Sequence, residues 1–160
     1  MVKIMNKEQI DELIQLLQIY ELSIAELYEN FAALFPSSNK TWLAYAKEER
    51  IHSKWISALH SRLKKEKISF EQTKITVQSS RIAIDFIEKQ IAKVKKSEID
   101  LKQAVTIAVD IEKSLLESAF FNIFKLNDPK AINLQSRLVE ATKIHKEKLL
   151  EWQASLENSN

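Results

Sequence analysis

The sequence predicts an all-α fold: a four-helix bundle of two antiparallel hairpins, joined by a long crossover that contains an additional helix. Three observations lead there. The 160 residues include no Gly and only two Pro, so few positions interrupt a helix. Four stretches carry apolar residues at three- and four-residue spacing, the mark of amphipathic helices facing a core. Two short breaks and one long link separate them, which pairs the first stretch with the second and the third with the fourth. A chain of this length is expected to form one domain, residues 1–160.

The first helix should run from Lys7 to Leu34 with Asn6 as its cap. Its inward stripe is Ile10, Leu13, Leu17, Glu21, Ile24, Tyr28 and Phe31. Pro36-Ser37-Ser38-Asn39 stops that helix and caps the next, because Pro breaks the ladder and Ser or Asn accepts free amide protons. The second helix, Lys40 to Leu63, buries Trp42, Tyr45, Glu49, His52, Ile56, Leu59 and Leu63. Residues 68–100 form the crossover. Ile68 to Val77 shows no helical stripe, whereas about Gln78 to Lys95 reads as a helix with Ile84, Ile87, Ile91 and Val94 on one face. A link of this length carries the chain from one end of a bundle to the other, so the helices it joins should run parallel.

Asp100 and Gln103 form a capping pair at the start of the third main helix. Its stripe is Ala104, Ala108, Ile111, Glu112, Leu115, Ala119 and Asn122. Asn127-Asp128-Pro129 breaks the chain, with Asp128 as cap and Pro129 at the first helical position. The fourth main helix then reaches about Leu156, turning Leu138, Ala141, Thr142, His145, Leu149 and Trp152 inward.

Composition narrows the function. A net charge of +2, with 45% hydrophobic and 29% charged residues, exerts no strong pull on nucleic acid or lipid. No apolar run approaches the ~20 residues of a membrane span, and Met1–Met5 is too short and too quickly charged for a signal peptide. A cytoplasmic chain is the expectation. Without Gly there is no phosphate loop, dinucleotide fingerprint or nucleophile elbow; without Cys there is no thiolate nucleophile, disulfide or iron–sulfur cluster. Chemistry is left to three His and the carboxylates.

Each main helix carries a polar group inside its apolar stripe. Glu49 and His52, three residues apart, stand one above the other on one face and can grip a single ion. Glu21 and His52 lie 15–16 residues either side of Ser37, and Glu112 and His145 lie 16–17 residues either side of Asp128. At ~1.5 Å per residue all four fall ~22–26 Å from their turns, so packed hairpins would bring Glu21, Glu49, His52, Glu112 and His145 to one level. Three carboxylates and two imidazoles cannot share a dry core uncompensated; oxygen and imidazole donors of this kind suit iron, manganese or zinc.

These residues resemble the ferritin-like superfamily, rubrerythrin branch, along nearly the whole chain. The resemblance rests on Glu21 followed by Tyr28, the Glu49-x-x-His52 pair, Asp110-Ile111-Glu112-Lys113-Ser114, and His145. It implies a di-metal site, di-iron in the first place, with Glu21, Glu49, His52, Glu112 and His145 as ligands. It also implies a peroxide- or oxygen-reactive oxidoreductase and a homodimer. Two departures stand out. Thr142 takes the place of the carboxylate expected before His145, with Glu140 about 200° round the helix from it. The Cys-rich segment of rubrerythrins is absent, so electrons would come from a separate donor. The alternative expectation is a metal-free or mono-metal interaction module with a degenerate site. His60 has no carboxylate at helical spacing and is expected at the surface, while Trp42, Trp55 and Trp152 are expected to fill the bundle ends.

Overall fold

The computed structural model describes residues 5–65, 75–117 and 126–159, and every regular element among them is helical. α1 spans Lys7–Leu34, and a 3-10 turn at Pro36–Ser38 leads into α2, Asn39–Leu63. α3 spans Val77–Lys95, α4 Leu101–Glu117 and α5 Pro129–Glu157. Most of the Ile68 to Val77 stretch, Ala119 and Asn122, and the side chain of Leu115 lie outside the described residues.

Local chemistry sets most of the boundaries. Asn6 and Gln9 close a reciprocal capping box on α1, as Thr76 and Ser79 do on α3. Asp100 and Gln103 exchange bonds of 2.9 and 2.8 Å at the start of α4, and Asp128 accepts from the Ala131 amide with Pro129 next to it. α3 ends with Ser97 in the left-handed region at φ 55, a position usually given to Gly, which this chain lacks. The α1–α2 turn departs from expectation. Ser38 makes no cap bond; its hydroxyl donates to the Phe35 carbonyl, and Asn39 reaches back to the Ala32 carbonyl at 3.0 Å.

Side-chain bonds fix the directions. Asp11 meets His60, Ser53 donates to the Gln18 carbonyl and Arg50 clamps Glu29, so α1 and α2 are antiparallel. Gln153 donates to Thr106 and His145 faces Glu112, so α4 and α5 are antiparallel too. α3 climbs beside α1 in the same sense: Arg81 pairs with Glu12 near its start, and Ile87, Ile91 and Val94 join the cluster around Tyr20–Ala32. That return leg leaves α2 and α4 pointing the same way.

Two apolar clusters fill the interior. One, around Tyr28, Phe31, Trp42, Ile87, Val105 and Ala108, lies toward the α1–α2 turn. The other, around Leu13, Leu17, Ile56, Leu59 and Leu138, lies toward the opposite end. Between them is a polar layer.

Candidate metal centre

That layer is built from four helices. Glu21 of α1, Glu49 and His52 of α2, Glu112 of α4 and His145 of α5 are all buried, none more than 3% exposed. Each sits on the inward stripe of its helix, so the backbone periodicity that makes the core also delivers the polar groups to it.

Glu49 is the hub. Its Oε2 accepts from His52 Nδ1 at 2.9 Å, and its Oε1 lies 2.9 Å from His145 Nδ1. The Glu21 carboxyl lies against that of Glu49, close enough for each to shift the other's proton affinity, and Glu112 Oε1 stands 3.6 Å from His145 Nδ1 while accepting from the Tyr28 hydroxyl at 3.3 Å. Donor atoms of Glu49, His52 and His145 lie within 4.8 Å of one another, a group that could hold a metal ion. The inner faces of this group are poorly satisfied. Despite the 2.9 Å separation, Glu49 Oε1 and His145 Nδ1 are not aligned as a hydrogen bond, and Glu21 Oε2 has no partner among the described residues. Such orphaned buried atoms are uncommon, and a bound ion is one way to account for them.

The charges point the same way. Burial and then the neighbouring Glu49 push Glu21 well above the usual carboxylate range. The same two causes push Glu112 up to about 7. Burial would raise Glu49 as well, yet the close approach of His145 and the bond from His52 outweigh it and hold Glu49 well below the usual range. Burial opposes a charged imidazole at His145, but Glu112 and Glu49 push it up to about 11. Without metal, then, protons do the compensating: Glu21 stays neutral, Glu112 is poised at neutrality, and a cationic His145 faces an anionic Glu49. A divalent cation would take over that role and expel the protons.

Sequence reasoning missed one residue. His145 Nε2, the nitrogen pointing away from the centre, donates to the carboxylate of Glu48 on α2. Glu48 falls off the apolar stripe and its side chain is 46% exposed, so periodicity assigns it to solvent. Its position 100° from Glu49 puts it at the border of the buried face, where a long side chain can still turn inward. A carboxylate behind a metal-binding imidazole fixes its tautomer and raises its basicity. Thr142 supplies nothing comparable: its hydroxyl donates to the Leu138 carbonyl at 2.9 Å, and Glu140 is exposed. His60 also differs from expectation. It is buried and pairs with Asp11 of α1 at 2.8 Å, a partner on another helix rather than its own.

A cavity of about 330 Å³ opens between α2 and α5, lined by Glu48, Ile51, His52, Trp55, Ala141, Ile144, His145 and Lys148. Both imidazoles form part of its wall, which gives the centre a route to the surface. Trp55 lies tilted against His52, ring centroids 5.5 Å apart, and carries the Arg137 guanidinium over its ring. No helix among the described residues is long and apolar enough to cross a membrane. Comparison of the chain with protein-family models, curated proteins and solved structures gives no match.

Proposed function

We propose that the chain is a ferritin-like four-helix bundle of the rubrerythrin type, with α3 as the additional helix of the crossover, and that it holds a non-haem di-metal centre. Glu21, Glu49, His52, Glu112 and His145 would hold the metal, and Glu48 would orient His145. The observation that carries this reading is the unaligned 2.9 Å approach of Glu49 Oε1 and His145 Nδ1 in a layer with three buried acids. The mixed carboxylate and imidazole donors suit iron, and also manganese or zinc. Bound iron supplies one-electron chemistry toward peroxide or oxygen in a cytoplasmic stress-response or iron-handling role. The protein's own groups position it and admit a small oxidant through the α2–α5 cavity.

With no Cys the chain carries no iron–sulfur centre, so the reductant is a separate donor. Exposed Ile19 and Leu22 on α1, and Ile82 and Phe86 on the neighbouring α3, support a homodimer.

A second reading, a mono-metal or metal-free interaction module, is favoured by the inward-bonded Thr142 hydroxyl and by the three-residue compactness of the Glu49–His52–His145 group. Anaerobic titration with ferrous iron, followed by elemental analysis and peroxide addition, separates the readings. Two irons per chain that peroxide oxidises support the di-iron centre. One iron supports the mono-metal form, and none supports the module.

A further inference from the structure

Four aromatic rings run from the polar layer toward the end of the molecule, and the packing of the core does not require them to be redox-active residues. Tyr28 begins the series with its hydroxyl on Glu112. Its ring centroid is 5.4 Å from that of Trp42, which is 4.8 Å from that of Trp152. Tyr45 flanks the path, 6.1 Å from Tyr28 and edge-on to His145 at 5.3 Å. Tyr28 and Trp42 are fully buried, while Trp152 is part-exposed near the end of α5.

We propose that Tyr28, Trp42 and Trp152 form an electron relay between the buried centre and the protein surface. Its purpose rests on the metal reading, but the relay itself is a property of the rings. Electron transfer weakens steeply with distance, so short steps between oxidisable rings outpace one long step.

The chemistry balances at each ring. When an oxidant of the peroxide class withdraws electrons at the centre, one electron leaves Tyr28 and its phenolic proton shifts along the existing bond to the Glu112 carboxylate, leaving a neutral tyrosyl radical. An electron from Trp42 refills Tyr28, and the proton returns. Trp42 Nε1 is buried with no acceptor among the described residues, so its radical cation has nowhere to lose a proton and passes the hole onward. Trp152 then gives an electron to Trp42, and a one-electron donor at the surface restores Trp152. Phe31, packed 4.7 Å from Trp42, resists oxidation and insulates the path.

The test needs no metal. An external photo-oxidant in solution removes an electron from exposed indole in the chelator-treated chain, and transient absorption follows the radical. The expected result is a tryptophan radical replaced by a tyrosyl radical, with the tyrosyl signal lost in Tyr28→Phe and in Trp42→Phe but kept in Tyr45→Phe. Trp152→Phe should suppress formation of the tyrosyl radical from surface oxidant. Circular dichroism on each variant separates unfolding from loss of transfer, and Trp42→Tyr, which keeps an oxidisable ring, should restore part of the yield if Trp42→Phe is folded. No tyrosyl radical in the parent protein, or one lost in Tyr45→Phe instead, overturns the relay. Ferrous titration of the same samples reports metal binding independently, so either reading can fail without the other.

Discussion

Glu48 is where the metal reading is most exposed to test at the scale of single residues. If it holds His145 in the ligating tautomer, Glu48→Gln should weaken metal binding by about 10–100-fold, the usual effect of removing such a partner. Glu140→Gln, on an exposed face of α5, should leave affinity unchanged. Calorimetric titration with ferrous iron or zinc checks both. Thr142 makes the complementary case. Its position one turn before His145 on the buried face means that Thr142→Glu would place a carboxylate beside the imidazole. The variant should bind more iron per chain than the parent and, through overpacking, be less stable by about 1–3 kcal/mol without metal. Equal iron content in the two proteins would count against a vacant ligand position there. Glu48 was not legible in the sequence because periodicity reports where a Cβ points, and the reach of a long side chain lies beyond it. His60 escaped for another reason: its partner, Asp11, is 49 residues away, and pairing across helices depends on their register.

The helices themselves were legible almost to the residue, because their ends are decided by neighbours in the chain. Asn6 with Gln9, Asp100 with Gln103, and Asp128 with Pro129 each complete a cap within three residues, and sequence contains everything such a cap needs. The turn before α2 was misread in detail because Ser38 and Asn39 bond backward, to α1 and the turn, instead of forward into the new helix. The depth of the polar layer was legible for a related reason: helical rise is nearly constant, so distance from a turn converts to height. One prediction belongs here. Asn6→Ala removes the cap acceptor and should cost about 1 kcal/mol, lowering the urea midpoint with no change in slope.

For the whole molecule, the charge balance of the layer predicts how stability depends on pH. Glu112 in the folded, metal-free protein keeps its proton up to about 7, beyond the ordinary range of an unfolded carboxylate. The folded state therefore binds more protons, and stability falls as pH rises through that window. His145 has the same sign: its raised value contributes stability below about 6.5, which is lost as pH climbs toward about 11. Glu49 is opposite, contributing stability that disappears in strong acid. Chelator-treated protein should accordingly melt at a higher temperature near about pH 5.5 than near about pH 8.5. Metal should reverse the trend, because binding displaces protons and strengthens with pH; at 100 times Kd it should add about 2.7 kcal/mol. A pH-independent midpoint in the chelated protein would contradict this account of the layer.

The donors of that layer are divided between two hairpins, Glu21, Glu49 and His52 on α1–α2, and Glu112 and His145 on α4–α5. Each hairpin closes over a short stretch of chain and can form early, whereas the layer exists only once the two have docked. An ion there would act as a late rivet in folding. Its removal should let the hairpins separate more often than either unravels, and amide exchange should show this as lost protection along the α2–α5 seam while the mid-helix amides along the α1–α2 contact remain slow.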